Sequence, residues 1–289
     1  MNFSATSIGC AAWRTWSHDQ PANVIGVTSR GLFIRAADRV VFVSFETQRG
    51  PLTITLGRSI DQLRALNIGD PAAFSNYRLI FPTIKTTFSA SPADVWHAPL
   101  PSATPCPFDQ QLHTLTQIAT SVTLRRPATG FGPLLAPLLD LPSSDPLPAD
   151  QMTLLTNLRS LQKSLRENDL RVALNNIEYL LGRGSGLTPS GDDCVLGLLL
   201  LLNRWPRGAD EAEFNRRVID VAYRQTTTIS ANLIESAAQG EADERLINVV
   251  DGIGTGSASI DECAECVLDW GSSSGIDALV GMAVTVAAH

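Results

Sequence analysis

The sequence has few of the residues that build common catalytic and metal sites. Its four histidines, in 289 residues, show no metal-ligand spacing. The five cysteines are odd in number and scattered, so we predict free thiols. Cys263 and Cys266 form an isolated pair in a helix-like pattern, which we interpret as small buried side chains and not as a metal or redox site. The chain also lacks a Gly-x-Gly-x-x-Gly fingerprint.

Long apolar runs and a net positive charge are also lacking. The longest apolar run, residues 194–202, is too short to span a bilayer and starts beside two aspartates. Residues 1–16 lack the basic and apolar regions of a signal peptide. The formal net charge of −7 argues against nucleic acid and anionic membranes as partners. We therefore expect a cytoplasmic protein with neither partner, in which an anionic substrate needs a local positive site.

The first hundred residues are rich in short β-branched and aromatic runs. These runs, separated by turn-forming residues, cover 24–28, 32–36, 40–45, 52–56 and 77–84. Short strands with tight turns are typical of a small barrel or sandwich. We predict a β-rich domain over residues 1–100.

The remainder of the chain is predicted to be helical after a proline-rich connector. The connector covers residues 101–149 and holds one helix at about 109–124. Apolar residues then recur at helical spacing, which predicts a helical domain over residues 150–289. The predicted helices in its later part cover 191–204, 211–238, 243–251, 259–270 and 275–288. The predicted fold class is α+β, with an N-terminal small β barrel or sandwich followed by a C-terminal α-helical domain.

The most informative segment is a glycine-rich stretch that leads into an apolar helix. Glycines at 182, 184 and 186 precede Ser190-Gly191-Asp192-Asp193. Ser190 stands at a helix N-cap position, and Asp193 follows where the acid of a capping box belongs. Glycines permit positive φ angles, and a helix N-terminus offers free N–H groups to an anion. The segment therefore predicts a site for a small anion or phosphate.

The same pattern returns near the C-terminus. Ser274-Gly275-x-Asp277, with Gly281 four residues on, aligns without gaps on Ser190-Gly191-x-Asp193 and Gly197. We predict that the two motifs meet in space, so that both helix N-termini point into one cavity. The alternative is that each motif is simply a well-capped helix whose acid favours the helix dipole.

Asp192 and Asp193 are the candidate catalytic residues. The loop has the glycine spacing of a Walker A motif, but Asp192 stands where its lysine belongs. The two acids could hold Mg²⁺, bind an amide or ammonium group, or transfer protons. Asp193 has a counterpart in Asp277, so we expect it chiefly to stabilise its helix. Ile276 stands opposite Asp192, which makes Asp192 the better candidate for chemistry and the tentative metal ligand.

Substrate-binding candidates come from both motifs and from a polar stretch inside the predicted helix 211–238. Hydroxyls in that stretch could face a ligand or bond back to their own helix carbonyls. Arg224 and Arg183 are the candidate anion clamps. The full set is Arg183, Gly184, Gly186, Thr188, Ser190, Gly191, Arg224, Thr227, Ser274, Gly275 and Asp277.

Gly-Leu-Thr-Pro-Ser-Gly-Asp-Asp at 186–193, followed by an apolar helix with Gly197, resembles the signature of a bacterial domain-of-unknown-function family. That family includes the AllH-type subunit of oxamate carbamoyltransferase, from anaerobic allantoin breakdown, and the motif at 274–277 resembles its C-terminal motif. The resemblance extends over most of the chain, including its β-rich front half. It implies a subunit of a multi-protein enzyme in which oxalurate and phosphate give oxamate and carbamoyl phosphate. Other protein subunits would then be partners. The candidate cofactor is Mg²⁺, on the separate ground that the two acids could hold it.

Three functions follow from these observations. The first is a catalytic subunit that handles a small carboxylate or phosphate compound in carbamoyl transfer. The second is a non-catalytic subunit that binds a ligand or braces a partner enzyme, which the shortage of histidine favours. A metal-dependent kinase or hydrolase is the third. Turnover by the isolated chain separates the first two.

Overall fold

The computed structural model describes residues 1–56, 61–101, 103–126, 129–142, 146–205, 211–257 and 259–288. The chain forms two compact units. The first contains residues 1–99 together with 241–244, and the second contains residues 100–240 and 245–289.

The first unit is built on one mixed sheet. Its strands are β1 (Asn2–Ser4), β2 (Ser7–Gly9), β3 (Gln20–Val27), β4 (Gly31–Ala36), β5 (Arg39–Ser44), β6 (Thr53–Thr55), β7 (Pro71–Ser75), β8 (Arg78–Phe81), β9 (Thr86–Ser89) and β10 (Val95–Trp96). They lie in the order β1-β9-β8-β7-β3-β4-β5-β6-β2-β10. A short helix, α1 (Cys10–Trp16), follows β2 directly.

The sheet curls because consecutive strands of the chain belong to its opposite ends. β1 pairs with β9, whereas β2 pairs with β6. Between them, Ala5 donates its N–H to Ser89 O at 2.9 Å, and Thr6 donates to Thr55 O at 2.8 Å. Two adjacent residues thus bond to strands near opposite ends of the sheet, as in a half-barrel. The core of the unit holds aromatic and branched side chains, among them Trp16 from α1 and Phe74 and Phe88 from the sheet.

The second unit is helical. Its helices are α2 (Phe108–Arg125), α3 (Leu135–Leu138), α4 (Ala149–Arg166), α5 (Leu170–Leu180), α6 (Ser190–Arg204), α7 (Glu211–Gln225), α8 (Thr228–Ala237), α9 (Glu244–Thr255), α10 (Ile260–Asp269) and α11 (Ser274–Val286). In α6 and α11 nearly every residue is buried, so these two apolar helices form the centre of the unit. Among the described residues, no helix is both long and apolar enough to cross a membrane.

The α+β class is confirmed, with a curled N-terminal sheet followed by helices. The single helix predicted over 211–238 is wrong, because α7 ends at Gln225 and α8 begins at Thr228. The reason is the hydroxyl of Thr227, which accepts the Ser230 N–H at 3.2 Å and so caps a new helix.

Candidate functional site

Helices α6 and α11 pack against each other through a reciprocal pair of glycines. A Cβ on Gly197 would overlap the carbonyl oxygen of Ala278, and one on Gly281 would overlap that of Cys194. Ala278 and Cys194 directly follow Asp277 and Asp193. The close backbone approach therefore occurs one turn inside each motif and holds the two motifs side by side.

The loops that lead into these helices repeat one local structure. Gly191 donates its N–H to Arg183 O, and Gly275 donates to Trp270 O, both at 2.9 Å. A side chain at Gly191 or Gly275 would also overlap a carbonyl of the preceding helix, that of Leu180 or Val267. The segment from α5 to α6 and the segment from α10 to α11 are thus two copies of a helix–loop–helix unit.

The two motifs meet, as their shared register predicted. Thr188 Oγ1 donates to Asp193 Oδ2 at 3.1 Å and lies 3.3 Å from Ser274 Oγ. Ser274 in turn hydrogen-bonds to Asp193, while the hydroxyl of Ser190 acts on Asp277. Each motif therefore places its serine beside the aspartate of the other.

The predicted capping boxes are wrong. Pro189 and Ser273 occupy the two N-cap positions, without a side-chain cap bond. Ser190 and Ser274 are consequently the first helical residues, and Asp193 and Asp277 the fourth. The serines reach across to the other motif, so they do not cap the N–H groups of their own helices.

Asp277 contacts the segment that leads into the short helix α3. Its Oδ1 accepts the Phe131 N–H at 2.6 Å, while a Cβ on Gly130, which has a φ of 56°, would overlap the carboxylate. Oδ2 is buried and has no partner of good hydrogen-bond geometry among the described residues. Burial raises the pKa of Asp277 against the opposing effect of the Phe131 N–H and the neighbouring serine hydroxyls. Sequence analysis missed Gly130 and Phe131, which it assigned to the connector.

Asp193 is almost completely buried. Burial raises its pKa well above the ordinary value, and the nearby charges of Asp277 and Asp192 raise it further. The hydroxyls of Ser274 and Thr188 act in the opposite direction. The pair of buried carboxyls thus favours a bound proton at Asp193.

Asp192 holds two distant segments in place. Its Oδ1 accepts the Gly182 N–H at 2.7 Å, and its Oδ2 accepts the Thr226 hydroxyl. Thr227 adds a further link, since its hydroxyl donates to Leu187 O at 2.9 Å. Asp192, although it has no counterpart in the second motif, therefore has a structural role. Its partners lie 10 and 34 residues away, and no local pattern indicated them.

The two adjacent acids fix the two ends of the glycine-rich loop. Asp192 binds the loop at Gly182, and Asp193 binds it at Thr188. Residues 183–187 between these ends are exposed. Within the described part of the chain, the N–H groups of residues 184–187 have no backbone acceptor.

The backbone of this loop alternates in the sign of φ. Gly182, Gly184 and Gly186 have φ values of 77°, 115° and 103°, whereas Arg183 and Ser185 do not have positive φ. Alternating φ signs of this kind are typical of a backbone nest, in which successive N–H groups turn toward a common side.

The two candidate arginines differ in their surroundings. The Arg183 guanidinium lies 3.8 Å from the centre of the Tyr179 ring, and its Nε donates to Tyr179 O at 2.5 Å. Arg183 therefore points back along α5. Arg224 is exposed in the last turn of α7, and no described contact joins it to the loop or to the acids.

A separate polar cleft lies in the first unit. It has a volume of about 320 Å³, and its lining includes Thr6, Ser7, Arg49, Asp94 and Trp96. Arg49 is paired with Glu244 at 2.9 Å, so its charge is already compensated. None of the candidate residues from the two motifs lines this cleft.

The family comparison falls on the helical unit and includes both motifs. Residues 180–286 match the family described as oxamate carbamoyltransferase subunit AllH. This match confirms the resemblance first indicated by the loop at 186–193, and it does not include the β-rich sheet. No solved structure matches the chain significantly.

Proposed function

We propose that this chain is a subunit of an oxamate carbamoyltransferase-type enzyme, and that its exposed loop at 183–187 binds the carboxylate or phosphate of a small substrate. The observation that carries the proposal is the AllH-type match together with the unpaired N–H groups of this loop. The anion is expected at the loop itself and not at the start of α6, because Gly191 already donates its N–H to Arg183 O.

Preorganisation supports this assignment. Both ends of the loop are held by buried carboxyls, so little order has to be gained when an anion binds. A proton on Asp193 lowers the negative charge beneath the loop and thereby reduces repulsion of an anionic ligand. Arg183 has to leave Tyr179 before it can contribute its charge.

The two buried acids offer hydrogen-bonding groups for the carbamoyl end of a substrate whose anionic end binds the loop. A carbamoyl group carries N–H donors, and Asp277 Oδ2 is an acceptor that lacks a partner of good geometry. Asp193, when protonated, is a donor for a carbonyl oxygen. Positioning and charge stabilisation are sufficient for this class of transfer, so no histidine-based set is required.

The second candidate is a non-catalytic subunit that positions the same ligand for a partner. It is favoured by the loop-holding role of Asp192 and Asp193 and by Leu187, which is 57% exposed at the edge of the loop. The candidate Mg²⁺ site at Asp192 stays a prediction in either case. Oxamate formation by the purified chain, with and without its partner subunits and Mg²⁺, distinguishes the two functions.

The anion site is tested by Gly186→Val with Gly69→Val as its matched control. Gly186 and Gly69 have φ values of 103° and 96°, and neither has a neighbour within 4 Å of an added Cβ. The two substitutions therefore carry similar backbone strain. Gly184→Val is less informative, because its Cβ would lie 2.6 Å from Ser190 N.

We expect Gly186→Val to weaken oxamate or phosphate binding at least 10-fold in calorimetry, while Gly69→Val keeps the wild-type affinity. Equal affinities in all three proteins would refute binding at the loop. A loss of complex assembly with unchanged anion affinity would support the bracing function.

A further inference from the structure

Three potential metal ligands from distant parts of the sequence meet in the first unit. Cys10, His97 and Glu241 each offer a ligand atom, and these atoms all lie within 4.8 Å of one another. None of them belongs to the two motifs, and only Glu241 falls within the residues of the AllH-type match.

The sheet itself places Cys10 beside His97. β2 and β10 are parallel, with Ile8 opposite Val95 and Gly9 opposite Trp96. Continuing this register by one residue sets Cys10 opposite His97, immediately after the carboxyl end of each strand. Both side chains therefore occupy a sheet edge where parallel strands end.

Glu241 is oriented by the backbone that follows β10. Its Oε2 accepts the Ala98 N–H at 2.8 Å, and its Oε1 lies 3.4 Å from His97 Nδ1. One carboxylate oxygen is thus fixed while the other faces the histidine and the cysteine. Metal-binding carboxylates are commonly held in this manner by an outer hydrogen bond.

We propose that Cys10, His97 and Glu241 form a binding site for a Zn²⁺-type metal ion. Thiolate, imidazole and carboxylate are the ligands that zinc takes, and three protein ligands leave a fourth position for water or another ligand. Zinc bonds of about 2.0–2.3 Å in tetrahedral geometry require ligand atoms roughly 3.3–3.6 Å apart. The 3.4 Å between His97 Nδ1 and Glu241 Oε1 already meets this requirement.

The surroundings allow a metal to enter. The His97 side chain is 66% exposed, that of Glu241 is 15% exposed, and Cys10 is buried. A metal would therefore enter past the exposed His97 and bind the buried Cys10 thiol from that side. It would also join the chain near residue 10 to the segment that returns at residue 241.

Cobalt titration of chelator-treated full-length protein tests the site, because Co²⁺ reports a thiolate ligand by a charge-transfer band. We expect one equivalent to produce the band, Zn²⁺ to displace it, and Cys10→Ser to abolish it. Cys106→Ser is the control that keeps the band. A wild-type protein that binds no Co²⁺ or Zn²⁺, or a band that persists in Cys10→Ser, would overturn the proposal.

His97→Gln provides a test that does not depend on altering the buried thiol. His97 is exposed, so the metal-free variant should melt with the wild type, while Zn²⁺ affinity falls by at least the roughly 10- to 100-fold seen for outer-shell changes. Glu241→Gln should behave similarly, since its amide oxygen still accepts the Ala98 N–H. His113→Gln, at an exposed position on α2, is the matched control with unchanged affinity. An unchanged Zn²⁺-induced rise in melting temperature in His97→Gln and Glu241→Gln would contradict the assignment.

Discussion

Asp193 is a single acidic side chain held in the interior by two hydroxyls. Its pKa is raised well above the ordinary value, mainly by burial. The native state therefore keeps a proton that the unfolded chain releases above the usual aspartate pKa of about 3.9. Below about pH 3.9 the Asp193 carboxyl does not lower the free energy of unfolding. As the pH rises from there toward the folded pKa, the free energy of unfolding decreases.

Asp193→Asn imitates the protonated carboxyl and removes this penalty. We expect the melting temperature of the variant, relative to wild type, to increase as the pH rises from about 4 toward the folded pKa of Asp193. Thermal unfolding across this range provides the measurement. A constant difference, or one that shrinks as the pH rises, would show that Asp193 is ionised in the native state.

Glu213→Gln is the control, because the pKa of Glu213 is lowered in the folded protein and not raised. Hydrogen bonds from Arg216 and Arg217 lower the pKa of Glu213 to about 2 at the protein surface. Its contribution to stability is present above the usual glutamate pKa and disappears as the pH falls toward 2. The difference between wild type and this variant should therefore not change between pH 6 and pH 8.

At the scale of secondary-structure elements, the pair formed by α6 and α11 depends on two glycines. At an uncrowded helix position, Gly→Ala stabilises a protein by up to about 1 kcal/mol. Gly197→Ala and Gly281→Ala should instead destabilise by about 1–3 kcal/mol, because each new methyl group would overlap a carbonyl oxygen of the partner helix. Urea unfolding of the two single variants measures the effect, and a gain in stability in either would disprove close contact there.

Periodic and turn signals predicted the elements well where local interactions determine them. The predicted helix at 191–204 corresponds to α6 at Ser190–Arg204, and the glycines correctly indicated positive φ at 184 and 186. The meeting of the two motifs was also predicted, because equal register on two apolar helices is visible in the sequence.

Features that depend on distant partners could not be predicted. The Thr226 hydroxyl, at the break between α7 and α8, bonds to Asp192 34 residues away, and the contact of Phe131 with Asp277 spans 146 residues. The cluster of Cys10, His97 and Glu241 arises from strand register and from a returning segment, neither of which has a sequence pattern. Histidines without local ligand spacing can therefore still belong to a candidate metal site.

At the scale of the whole molecule, all five cysteines are free, as the odd count predicted. Cys10, Cys194 and Cys263 are buried, whereas Cys106 and Cys266 are partly exposed. We expect a thiol reagent to modify only the latter two in the native protein and all five after unfolding. Three reactive thiols in the unfolded, unreduced chain would instead indicate a disulfide.

Because residues 241–244 belong to the first unit, that unit cannot be completed until late in translation. Glu244 pairs with Arg49, and it donates its N–H to Arg49 O at 2.9 Å. These contacts have to wait while residues 100–240 are translated. At about 5–20 residues per second, that interval lasts roughly 7–28 s. During this time the nascent half-barrel leaves the ribosome without its last segment, so a chaperone has a defined window in which to bind it.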